Sequence, residues 1–329
     1  MLASAASLGR SGKSAEALEL LETVSAELAT KEDPKLHARV LREIGLQWRT
    51  LGDVAQSRAA YERALAIARA CGSGSEEAFA LNGVAVAHHV EGDLEIAEQQ
   101  YAAAARLAAA NGLIRLSGMI EQNRGVIANI QGDLPKAARR YRAALAAFQM
   151  TGDHQGSAWV LNNLGMLSAD EGDHEKALQS FENGRRAAAE ARDVELQARL
   201  GINMAEVLIE QGSTAVARRS LAEALEDAAA SGFDLLVGEA HRLLSRLERL
   251  EGDDVAGALD HAESAIEIAR DAPDRLLLAE SLREAGESLS VLGRGTEARV
   301  AWGEAADLFE ALGASDDVAM LQEMIGPLE

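Results

Sequence analysis

Residues 159–184 read WVLNNLGMLSADEGDHEKALQSFENG, from Trp159 to Gly184. Leu161, Leu164, Gly165 and Leu167 recur at helical spacing, and Glu171-Gly172-Asp173 interrupts them with turn residues. Ala177, Leu178, Phe181 and Gly184 then resume the same period. The stretch predicts a helix, a Gly-Asp turn and a second helix.

Almost all of the chain copies this unit. Turn glycines stand at Gly12, Gly52, Gly92, Gly132, Gly172, Gly212 and Gly252, each 40 residues after the last, and Gly293 follows after 41. One extra residue near Asp253-Asp254 accounts for the slip. Nine residues after successive glycines come Tyr61, Tyr101, Tyr141, Phe181 and Leu221, and twelve after them Ala64, Ala104, Ala144, Gly184 and Ala224. A small residue sits seven before each turn: Ala5, Gly45, Ala85, Gly125, Gly165, Ala205, Ser245 and Gly286. Small residues there let paired helices approach, and the large side chain at plus nine fills the gap between units.

This pattern resembles the tetratricopeptide repeat family over nearly the whole chain. Its 40-residue period is similar to the long-helix branch found in kinesin light chain, the spindle-orientation adaptors and the sensor domains of bacterial regulators such as the maltose activator. The resemblance implies an all-α, right-handed solenoid of about eight helix-turn-helix repeats, one domain over residues 1–329, with a concave groove lined by the first helices. A capping helix is expected at 315–326, where Ser315-Asp316-Asp317 resembles a helix start and Gly326-Pro327 a stop. At the other end Met1 lies eleven residues before Gly12, so the first helix is expected to be short and uncapped. The expectation is a piece of a longer protein, or an end covered by a preceding segment, with end-to-end self-association as a further consequence.

The 329 residues carry a formal net charge of −21, which argues against coating nucleic acid or an anionic membrane. Aromatic residues make up 3%, so the core must be built from Ala, Leu, Val and Ile. The single cysteine, Cys71, permits no intrachain disulfide and suits a reducing compartment. With no apolar run of membrane-spanning length, the expected location is cytoplasmic.

Chemical motifs are weak. Arg10-Ser11-Gly12-Lys13-Ser14 resembles a phosphate-binding loop, but Ser7 stands where that loop needs a glycine, no strand precedes it, and the repeat already explains Gly12. The histidines, His37, His88, His89, His154, His174, His241 and His261, include no pair three or four apart on one helix. No Ser or Cys nucleophile comes with a recognisable His and acid context, so neither catalysis, nor a metal, nor a cofactor is expected.

The groove is more informative. Positions 13, 10, 6 and 3 before each turn share one helix face, with position 9 beside them. Asn123, Asn163 and Asn203 occupy position 9, and Asn82, Gln122 and Asn162 position 10, a ladder of amides. An amide both donates and accepts, so such a row can pair with the backbone of an extended peptide. The resemblance supports this, since asparagine ladders look similar in the kinesin light chain branch and Asn163 is the closest match. The alternative is that the amides bond to neighbouring helices and fix the stacking. Phe79, Met119 and Trp159 at position 13, and Met166 at position 6, suit partner anchors; packing against the preceding helix is the competing role for Phe79 and Trp159.

Two arginine clusters differ. Arg242, Arg246 and Arg249 alternate with Glu206 and Glu287, as Arg199 does with Glu239 and Glu280, which reads as an interhelical salt-bridge ladder. Arg39, Arg42 and Arg49 lack opposite charges at equivalent places, although Arg39 can pair with Glu43 in its own helix, and they suit an anion. Glu121 and Arg124 replace core leucines, as a partly buried pair or a local shift. The expected function is a non-catalytic scaffold for a protein or peptide ligand. The second expectation is the ligand-sensing domain of a larger bacterial ATPase, kinase or transcription regulator.

Overall fold

The computed structural model describes residues 2–10, 12–30, 33–272 and 274–326, and among them every regular element is a helix. In the first half these are α1 (Leu2–Arg10), α2 (Ser14–Leu28), α3 (Pro34–Thr50), α4 (Val54–Ala70), α5 (Gly74–Val90), α6 (Leu94–Ala110), α7 (Ile114–Ile130) and α8 (Leu134–Thr151). Then follow α9 (His154–Asp170), α10 (His174–Ala191), α11 (Val194–Glu210), α12 (Thr214–Ser231), α13 (Asp234–Glu251), α14 (Val255–Asp271), α15 (Arg275–Val291), α16 (Gly295–Leu312) and α17 (Ser315–Ile325). They form two compact units, residues 1–160 and 161–329, whose boundary falls inside α9. Each unit is a solenoid of stacked helix pairs.

The Gly-Asp turn is built twice over from backbone chemistry. Gly172 takes φ 75°, a left-handed conformation that exacts little only from glycine. Its N–H donates to the Ala169 carbonyl and that of Asp173 to Ser168, each at 2.8 Å, closing the end of α9. Asp173 then starts α10, its carboxylate accepting from the Lys176 backbone N–H at 3.2 Å. At the slip, Asp254 performs that capping, accepting from Gly257 N–H at 2.8 Å. A second series of turns joins one repeat to the next, with left-handed glycines at Gly72, Gly112, Gly152, Gly232 and Gly313. Arg192 occupies the same place with φ 56°.

The small-to-large pairing is steric. A β-carbon on Gly125 would lie 2.6 Å from the Tyr141 ring, and one on Gly165 2.5 Å from Phe181 Cδ1. Gly45 and Gly83 both flank Tyr61, and Gly286 lies against Trp302. Glycine therefore marks where an aromatic ring seats on a helix backbone. The cap α17 is present and buries Leu321, with Ala314 rather than Ser315 as its N-cap residue. Pro327, Met1 and Ser11 lie outside the described residues. The phosphate-loop resemblance fails on its surroundings: Gly12 follows a helix, and Lys13 pairs with Glu16 at 3.1 Å on the surface.

Candidate functional site

In the first unit, α3, α5 and α7 border a cavity of about 430 Å³. Its lining includes Arg42, Arg49, Phe79, Asn82, Met119, Gln122 and Asn123, so amides, apolar anchors and arginines selected from sequence meet at one place. Tyr61 and Tyr101 reach it from α4 and α6, and Arg115, Glu43 and His89 complete the polar lining. Arg39 is exposed and not part of this lining, and it makes no ion pair with Glu43 or any other described residue.

The repeat alignment missed a charge partner for Arg42. Its Nε lies 3.3 Å from Glu76 Oε2, both side chains largely buried, and its guanidinium sits 4.3 Å above the Phe79 ring. Burial pulls Arg42 below the ordinary guanidinium value, with Glu76 and Glu43 opposing the shift and Arg39 adding to it. Arg115 donates to Asp153 at 2.6 Å. Arg49 is exposed and makes no ion pair among the described residues. Burial also raises the Tyr61 and Tyr101 phenols and holds His89 down, so all three are neutral near pH 7.

Beside the cavity, Glu121 and Arg124 do form a partly buried pair, within a larger network. Arg124 donates to Glu98 at 2.7 Å and to Glu121 at 3.1 Å, and Arg140 donates to Glu121 at 2.8 Å. Two positive and two negative groups alternate, so each charge is compensated. Burial alone would lower the Arg124 value; the hydrogen bonds it donates to Glu98 and Glu121, with the charge of those carboxylates, outweigh burial and raise it. Trp159 is half-buried at the end of this unit.

In the second unit the amides divide. Asn203 Nδ2 donates to Asn162 Oδ1 at 2.8 Å, with Asn162 only 8% exposed, so this rung does fix one helix against another. Asn163 is half-buried, makes no side-chain hydrogen bond among the described residues, and has the exposed Met166 on its helix. The salt-bridge ladder is present with some partners exchanged. Arg242 lies between Glu206 and Glu280 at 3.6 and 3.2 Å, Arg199 meets Glu239 at 3.8 Å, and Arg249 grips Glu284 and Glu287 at 2.7 and 2.6 Å. Glu280 thus serves Arg242 rather than Arg199, and Glu287 serves Arg249.

Three histidine arrangements escaped the spacing rule because their partners are distant in sequence or lie past a helix end. His241 and His261, on α13 and α14, bring their Nδ1 atoms to 2.8 Å. Burial, then the neighbouring His261, hold His241 below its ordinary value. His88, Glu91 and Asp93 cluster at the end of α5, but Arg58 already engages Glu91 at 3.2 Å. Ser25 and His37 come within 3.1 Å beside a 310 Å³ cavity. Among the described residues His37 meets Ser25 and no carboxylate, and burial followed by the charge of Arg63 holds its ring below the ordinary value.

Helix pairs with glycine turns and aromatic rings seated on glycine give the chain a fold of the tetratricopeptide-repeat kind. Residues 117–190 match the family model of the tetratricopeptide repeat. The regulatory protein AfsR of Streptomyces griseus is 36% identical over 115 residues, which are 35% of this chain and 12% of that protein. The chain therefore spans a small part of that relative's length. Among solved structures, the apo form of the quorum sensor NprR from B. thuringiensis has a TM-score of 0.71, covering 94% of this chain and 86% of that one at 16% identity. The Rap conjugation gene regulator of plasmid pLS20, in complex with the Phr* peptide, has a TM-score of 0.59 over 80% of this chain and 73% of its own, at 19% identity. At such identities these likenesses are of fold. None of the described helices is long and apolar enough to cross a membrane.

Proposed function

We propose that this chain is a non-catalytic scaffold that binds a protein or peptide in extended form. The observation that carries the reading is the first-unit cavity, where Asn82, Gln122 and Asn123 stand beside Phe79, Met119, Arg42 and Arg49. Amides serve a peptide backbone, the apolar groups an anchoring side chain, and the arginine cluster with Arg39 an acidic group. In the second unit Asn163 and Met166 are assigned the same role, with the Asn162–Asn203 rung holding the helices that carry them. The peptide held by the Rap regulator of pLS20 supports this class of ligand. The net charge of −21 favours neither nucleic acid nor membrane as partner.

The test selects peptides from a random display library on the immobilised chain and measures their affinity for Asn123→Ala and Asn163→Ala separately. A loss of about fivefold or more per amide, with melting unchanged, is expected. Unchanged affinity in both variants overturns the ladder.

A second reading, a sensing domain within a larger bacterial regulator, is favoured by the stretch 36% identical to AfsR. A coding frame that continues into an ATPase, kinase or DNA-binding domain supports it, and a solitary frame refutes it. Self-association through the first repeat is assigned to the same architecture, and a monomer at all concentrations in light scattering would refute that.

A further inference from the structure

The turn between α5 and α6 departs from its counterparts at one residue. Asp53, Asp133 and Asp173 each follow a turn glycine and accept a hydrogen bond from the backbone N–H three residues on, which starts the next helix. Asp93 stands at the same place and makes no such bond. Its carboxylate lies against His88 instead, with Oδ2 3.4 Å from Nδ1, and Glu91 Oε2 is 3.6 Å from the same nitrogen. Trp48, Ala128 and Ser168 occupy the place of His88 in the other three repeats, so among these four turns the aspartate leaves its cap at the one that has a histidine. The three ligand atoms all lie within 4.8 Å of one another. Separations of 3.4 and 3.6 Å are longer than a good N–H···O bond, which measures about 2.9 Å. They match the edge of a tetrahedron around zinc, roughly 3.4 Å for bonds of about 2.0–2.1 Å.

We infer that His88, Glu91 and Asp93 form a binding site for a divalent transition-metal ion, with zinc as the ion their donors fit. One imidazole nitrogen and two carboxylate oxygens suit zinc better than calcium or magnesium, which favour shells of oxygen alone. Three protein ligands leave the fourth position to water. Arg58 Nη1 approaches Glu91 Oε2 to 3.2 Å. A carboxylate oxygen has two lone pairs, so Oε2 can meet the cation on one and Arg58 on the other, and Arg58 then holds the ligating carboxylate in place. Bound there, the ion ties the last turn of α5 to the residue that precedes α6, which is the closure the absent capping bond leaves open. None of the three ligands lines the first-unit cavity, so the site stands apart from the peptide-binding reading.

The experiment titrates the full chain, stripped with a chelator, with zinc by isothermal calorimetry and with cobalt(II) as a spectroscopic probe. A single zinc per chain with a micromolar Kd is expected, and cobalt should give the intense visible bands of a tetrahedral site. His88→Gln and Asp93→Asn should each weaken zinc by about tenfold or more and abolish those bands. Both replacements keep the shape of the side chain at a surface turn, and Asp93 holds no capping bond to lose, so circular dichroism should be unchanged. Zinc should raise the melting temperature of the parent chain and leave that of Asp93→Asn where it was. His241→Gln, at the histidine pair of α13 and α14, should bind zinc as the parent does. Binding that is lost in His241→Gln and kept in His88→Gln puts the ion at that pair and overturns the inference. The absence of zinc binding overturns it too, as does adventitious binding that neither His88→Gln nor Asp93→Asn changes.

Discussion

Replacing Gly165 by alanine places a methyl group against a ring that has nowhere to go. The added carbon would stand 2.5 Å from Phe181 Cδ1, about 1 Å inside an ordinary carbon–carbon contact, and Phe181 is fully buried. Overpacking of this kind costs about 1–3 kcal/mol. Against it, alanine in a helix interior gains roughly 1 kcal/mol over glycine. The steric cost falls toward the upper part of its range because the neighbour is an aromatic ring and not a flexible chain end, so the net expectation is a loss of about 1–2 kcal/mol. Gly303→Ala supplies the opposite sign: it lies inside α16 with nothing within 4 Å of the added carbon, and should stabilise by up to about 1 kcal/mol. Gly172→Ala meets no atom either, yet its φ of 75° should cost about 1–2 kcal/mol. Urea midpoints followed by far-ultraviolet circular dichroism rank the three, and hydrogen exchange in α9 and α10 gives a local readout that does not need two-state unfolding. In a Phe181→Leu background the Gly165→Ala penalty should shrink by about 1 kcal/mol. A Gly165→Ala variant as stable as Gly303→Ala, or a penalty that persists unchanged beside Leu, would refute the steric account of the repeat.

Two further outcomes test the polar interior of the second unit. Arg249→Ala strands Glu284, which is 2% exposed, together with Glu287, and should destabilise by about 3–5 kcal/mol; calorimetric melting checks this, and a change under 1 kcal/mol would show the ladder to be dispensable. His241 is held below its ordinary value by burial and by His261, so the unfolded chain binds more protons than the folded one once the pH falls through about 6.5. Stability from this group is therefore present above that pH and lost below it; urea midpoints between pH 7.5 and 5.5 should fall, and His241→Gln should reduce the slope, whereas an identical slope would exclude the pair as its source.

What the sequence alone determined was whatever repeats. Gly172 and its counterparts were legible because a left-handed turn demands glycine, and Gly165 with Phe181 because a ring seated on a helix demands a small residue at a set distance along the chain. These constraints are local or periodic, so the period of 40 carries them without reference to coordinates. Asn82, Asn123 and Phe79 could likewise be assigned to a shared face. Tertiary structure decided how the long and polar side chains are used. It placed Glu76 on Arg42, joined Asn203 to Asn162, drew Glu98 into the Glu121–Arg124 pair and set His241 against His261. It also gathered Asn82, Asn123 and Phe79 with Tyr61 and Tyr101 around one cavity. Such contacts depend on the rotamers and separations of side chains from different helices, and helical periodicity gives the direction of a Cα–Cβ bond but not the reach of the atoms beyond it.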